Sequence, residues 1–99
     1  MLWALHCLDR PNSVEARDEL RKIHREYLDS KGKQIFLSGP LLSDDGTLQI
    51  GSLFVLNVPE RSTAQAFIDD EPFNRAGVFE QVRIYRMRKG RFNSHLVDE

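Results

Sequence analysis

The 99-residue sequence has one cysteine, Cys7, so no disulfide can form within it. Small secreted scaffolds usually depend on several, and that architecture is set aside. Cys7 is expected to be a small buried apolar residue in a strand, because no base or helix N-terminus stands beside it to activate a thiolate. An excess of charge of one sign is also missing. Lys plus Arg number 14 and Asp plus Glu 15, for a formal net charge of −1. That balance lacks the footprint of a nucleic-acid or polybasic membrane binder. No apolar run approaches the ~20 residues that span a bilayer. The opening MLWALHCLDRP has no basic stretch before its short apolar run, so it does not read as a secretory signal, and a cytoplasmic location is expected. Its histidines, His6, His24 and His95, lack metal-ligand spacing. Phosphate-loop, dinucleotide, serine-elbow and zinc-protease motifs are absent, and no cofactor is expected.

What remains is 40% hydrophobic and 29% charged residues, the balance of a soluble globule rather than a disordered chain. The length fits one domain. Such a chain removes only about 60–70% of its extended surface from water on folding, so burying more in an oligomer would help.

Leu2–Leu8 reads as a strand with apolar residues in both alternating sets, which predicts cover on both faces. Pro11-Asn12-Ser13 makes a turn, with Ser13 as N-cap. From Val14 to about Ser30 the period changes: Ala16, Leu20, Ile23 and Tyr27 form one helical stripe, and Gly32 lies at the C-cap. Gln34–Leu37 is a second strand, stopped by Ser38-Gly39-Pro40, with Leu41-Leu42 as a candidate continuation beyond that break. Asp45-Gly46 signals a hairpin, followed by a strand over Gly51–Val58. There Phe54 and Leu56 face opposite to Leu53 and Val55. A second helix covers about Thr63–Asp69 and is interrupted at Glu71-Pro72, because the residue before proline resists the α region. Phe73–Gly77 suits a helical turn and Phe79–Met87 a fourth strand. A domain over residues 1–90 and a tail over 91–99 are expected.

The order βαββαβ predicts an α+β, ferredoxin-like fold: a four-stranded antiparallel sheet with two helices on one face. The uncovered face would leave a wide apolar surface wet. Packing it against a second copy predicts a two-fold homodimer of facing sheets.

Two constellations carry chemistry. Arg17, Arg21, His24 and Leu28 share a helical stripe. On pattern alone this is a solvated basic face or an anion-accepting edge with His24 as proton carrier. Asp69-Asp70-Glu71 is either a solvated helix end or the source of a carboxylate for His24. A carboxylate on one imidazole nitrogen would leave the other free to act as a base. His6 reads as a packed or interface histidine and His95 as bystander surface.

The ordered set of MLWALHCLD, Asn12-Ser13, the R-x-x-x-R-x-x-H-x-x-Y-L run from Arg17 to Leu28, Ser38-Gly39-Pro40, Asp45-Gly46 and Glu71–Phe79 resembles the YciI-like (YCII-related) family over about residues 1–90. The resemblance implies a ferredoxin-like fold pairing into a dimeric α+β barrel. It also implies an active site joining a helical His, here His24, to an Asp preceding the Pro of a D-P-F/Y motif. That position holds Glu71, with Asp70 beside it. The family includes a dehydrochlorinase acting on a hydroxylated aromatic ring, and the barrel is similar to those of muconolactone isomerases and small monooxygenases. The expectation is a cofactor-free lyase or isomerase in which His24, oriented by Glu71 or Asp70, moves a proton. Arg17 or Arg21 would hold a small polar or anionic metabolite, with Ser38, Gly39 and Pro40 lining the pocket. The alternative is a non-catalytic module that binds a small molecule. Neither nucleic acid nor membrane is an expected partner.

Overall fold

A computed structural model describes residues 1–96. The last three positions of the expected tail, 97–99, lie outside the described residues. The elements run β1 (Leu2–Asp9), α1 (Val14–Ser30), β2 (Ile35–Leu42), β3 (Gln49–Asn57), α2 (Arg61–Asp70), α3 (Pro72–Arg75) and β4 (Phe79–Met87). A short 3₁₀ turn covers Ser94–Leu96. Every pairing is antiparallel and the strand order is β2-β3-β1-β4. This is the predicted α+β sheet with helices on one face. No helix among the described residues is long and apolar enough to cross a membrane.

Alternation along the strands decides which side chains meet the helices. Trp3, Leu5 and Cys7 of β1 are flanked by Leu56, Phe54 and Ser52 of β3 in register. The apolar members join Ala64, Phe67 and Ile68 of α2 and Phe73 of α3 in one core. Burying each large apolar side chain stabilises the fold by about 1.5–3 kcal/mol. The opposite set, Leu37–Val55–Ala4–Tyr85, forms a row across all four strands. Leu37 and Tyr85 in that row are more than half exposed.

Several local expectations need correction. Ile23 is 56% exposed. The stripe of α1 that packs on the core instead includes Ala16, Leu20, Tyr27 and Leu28. Ser38-Gly39-Pro40 does not stop β2, which runs through it to Leu42, with register shifts flanking it at Ile35/Leu37 and Leu41/Leu42. The strand lies at the sheet edge, where a proline lacking its N–H is tolerated. At the start of α1, Ser13 makes no side-chain cap and its hydroxyl donates to the Arg10 carbonyl. Lys31 occupies the C-cap, with Gly32 directly after it.

Candidate active site

Pro72 drives its predecessor out of the helical region, and Glu71 sits at φ −67°, ψ 128° between α2 and α3. There it caps α3: its Oε2 accepts the Asn74 backbone N–H at 3.1 Å. The Asn74 side chain in turn donates to the Ile68 carbonyl at 2.9 Å, tying the kink to α2. This clamp leaves Glu71 with no solvent exposure and turns Oε1 towards α1. His24 Nδ1 lies 2.5 Å from that oxygen. The imidazole stacks on Phe73, with ring centroids 4.0 Å apart and planes 16° off parallel. The Phe54 ring meets it edge-on at 6.5 Å. One nitrogen and one face of His24 are therefore fixed, and Nε2 has no protein partner among the described residues.

His24 lines a cavity of about 230 Å³ between α1 and β2–β3. Arg21, Arg25 and Leu28 border it from α1, and Ser38, Gly39 and Pro40 from β2. Phe54 and Phe73 form its apolar wall. The structure thus brings His24, Glu71, Arg21 and the Ser38-Gly39-Pro40 segment together. Asp70 is placed elsewhere. It is exposed and borders a separate groove with Ile23, Glu26 and Arg75.

Arg17 reaches the cavity edge, but the residue is 3% exposed and its guanidinium is already paired. Nε and Nη2 grip the two oxygens of Asp9 at 2.6 and 2.9 Å. Nη2 also donates to the Gly51 carbonyl at 2.8 Å and to Ser52 Oγ at 3.1 Å. The group lies 4.7 Å above the Phe73 ring, the same ring that supports His24. Gly51 is required there, because a Cβ would come within 2.2 Å of the Cys7 carbonyl oxygen.

Burial, with Glu71 and Asp9 nearby, pushes the Cys7 thiol up to about 12, so it is an uncharged core residue at neutral pH. Sequence reasoning missed Asp9, Phe54, Phe73 and Arg25. Asp9 carries a readable signal, since it follows Trp3, Leu5 and Cys7 in the inward set of β1. Arg25 falls outside the 4-3-4 stripe of α1 and gave none. Among the described residues no group of three or more His, Cys, Asp or Glu could hold a metal ion.

Comparison with known proteins agrees with this architecture. Protein YciI of Escherichia coli O6:H1 is 28% identical over 97 residues, covering 90% of this chain and 98% of that protein. The Shigella flexneri protein YciI matches equally. Among solved structures, 5-chloro-2-hydroxyhydroquinone dehydrochlorinase from Burkholderia phenoliruptrix AC1100, in complex with 2,5-dihydroxybenzoquinone, superposes with a TM-score of 0.83 at 26% identity. That match covers 91% of this chain and 96% of the other. The family model for the YCII-related domain matches residues 1–88, and the chain belongs to that family.

Proposed function

We propose that the protein is a general acid–base enzyme of lyase or isomerase type, acting on a small polar or anionic molecule in the His24 cavity. The observation that carries this reading is the contact between His24 Nδ1 and the buried Glu71 carboxylate, with Nε2 left without a protein partner beside the cavity. With Glu71 ionised, Nδ1 must hold the ring hydrogen, and the Nε2 lone pair is available as a base. When Nε2 takes a proton, the positive charge spread over the ring is met by the carboxylate on its other side. In an elimination, the C–H electron pair becomes the new double bond and the leaving group departs with its bonding electrons. In an isomerisation, the same proton returns at another atom. Neither route needs an oxidant.

A relative with the same fold is a dehydrochlorinase in complex with 2,5-dihydroxybenzoquinone, which supports a small-molecule substrate and a lyase-type reaction here. The row through Leu37, Val55, Ala4 and Tyr85, more than half exposed at Leu37 and Tyr85, supports a homodimer of facing sheets.

The test is turnover of a panel of halogenated hydroquinones and small enolisable acids, read as chloride release or proton exchange. His24→Asn should lose about 10²–10⁴-fold in rate, and Glu71→Gln a substantial part of that, while both remain folded. Full activity in His24→Asn would end the reading. A protein that binds members of the panel without turning any over would instead be a binding module.

A further inference from the structure

We propose that the His24 cavity selects small, flat carboxylates, and that Arg21 and Arg25 are the pair of cations that read the carboxylate. This narrows the acid–base reading and rests on it for the direction in which the ligand enters. Three cationic side chains of α1 border the cavity, and only two are available to a ligand. Arg17 is buried and paired with Asp9 through Nε and Nη2, so its charge is neutralised within the fold. Arg21 holds only an exposed contact with Asp18 on its own helix, which an incoming anion can displace. Arg25 makes no ion pair or side-chain hydrogen bond among the described residues. Arg21 and Arg25 stand one helical turn apart, on either side of His24 in the chain, and neighbours at that spacing project to the same side of a helix.

The rest of the lining agrees. Among the described residues no Asp or Glu borders the cavity, and the buried Glu71 behind His24 is already engaged by His24 and Asn74. An entering anion therefore meets two cations and no free carboxylate. The planar fork of arginine matches a carboxylate with two parallel hydrogen bonds. Much of the remaining wall is apolar, from Phe54, Phe73, Leu28 and Pro40, with Ser38, Gln49 and Ser52 as its polar members. That surface suits a flat hydrocarbon skeleton and gives a strongly hydrated phosphate little to replace its water. At about 230 Å³ the cavity falls below the ~300–1,000 Å³ range of pockets for drug-sized ligands. Its ligand is accordingly near one substituted ring or a short conjugated chain, with the carboxylate outermost and the reacting atom towards Nε2.

Benzoate, its neutral isostere benzamide and inorganic phosphate separate these terms. Each is titrated into the full-length ¹⁵N-labelled protein at low ionic strength, following the amide resonances of Ser38, Gly39 and Phe54. Benzoate should saturate at least tenfold more tightly than benzamide or phosphate. Arg21→Gln and Arg25→Gln should each weaken benzoate about three- to tenfold, leave benzamide unchanged and keep a native spectrum. Added salt should weaken benzoate and leave benzamide unchanged. Equal binding of benzamide, phosphate as tight as benzoate, no effect of Arg25→Gln, or no saturation by benzoate would each overturn the proposal. Benzoate selectivity should survive in His24→Asn. Selective binding together with full turnover by that variant would sink the acid–base reading and leave the ligand class standing; a His24-dependent turnover with unselective binding would do the reverse.

Discussion

Arg17 illustrates how a guanidinium is taken out of water: Asp9 neutralises it, Gly51 and Ser52 accept from Nη2, and Gln49 accepts from Nη1. The pair gains little over a well-packed apolar substitute, but removing one partner strands a buried charge. Asp9→Asn should therefore cost about 3–5 kcal/mol in urea unfolding. The double variant Asp9→Leu, Arg17→Met should recover most of that loss. Simple addition of the two single effects would show that the groups do not act as a unit. The sequence places Arg17 on the helical stripe of His24, and the structure keeps it there. Its spacing says nothing of what lies opposite, so an anion-binding role was the natural expectation. What neutralises it is eight residues upstream, on the far side of a turn in which Asn12 takes φ 62°. Helical periodicity does not encode that return. Glu71 was legible to a further degree, because a residue before proline must leave the helix. The choice of Glu71 over Asp70 was not, since it depends on which carboxylate the Asn74 clamp turns inward.

Among the elements, β1, α1 and β4 were the most readable, because long runs of one period admit few alternatives. Ile23 misled, since a 4-3-4 stripe marks a helical face whose centre can turn by one position when a kinked neighbour packs against it. Here α3 presents Phe73 to His24 and shifts the buried face towards it. β2 misled for a different reason. Ser-Gly-Pro is a breaker in a central strand but tolerated at a sheet edge, and edge position follows from topology rather than local sequence. The break between α2 and α3 is the element-scale feature on which the candidate site depends. Pro72→Ala lifts the steric bar on helical Glu71 and allows α2 to run on, carrying the carboxylate round the helix. The expected result is a stability change within about 1 kcal/mol but a lost His24–Glu71 contact, seen as a changed ¹⁵N tautomer pattern of the imidazole. An unchanged pattern would mean that the Asn74 hydrogen bonds hold the kink unaided.

For the whole molecule, one layer of helices and one open sheet face set the two remaining expectations. Around His6 the open face carries Leu53 and Arg83 in register, next to the Leu37–Tyr85 row. If two copies meet there, Leu53→Arg adds charge at the centre of the contact and should shift sedimentation from dimer to monomer; an unshifted dimer would place the contact elsewhere. The closed side predicts how the fold responds to alkali. Burial raises Cys7 from near 9 to about 12, with Glu71 and Asp9 adding to it. Burial likewise raises Tyr27 from 10 to about 12, with Asp70 and Glu71 adding, while its hydroxyl donates to the Phe67 carbonyl at 2.7 Å. Both groups bind their protons more tightly folded than unfolded. Their contribution to stability is thus complete below pH 9 and is lost as the pH climbs towards 12. Thermal unfolding should show a flat Tm from pH 7 to about 8.5 and a falling limb above it. The informative quantity is the difference between proteins. Cys7→Ala leaves a small cavity and lowers Tm at every pH, yet its limb should fall less steeply than that of the parent. Tyr27→Phe should flatten it again, beginning about one pH unit higher. Limbs that run parallel in all three proteins would mean that neither proton is held by the fold.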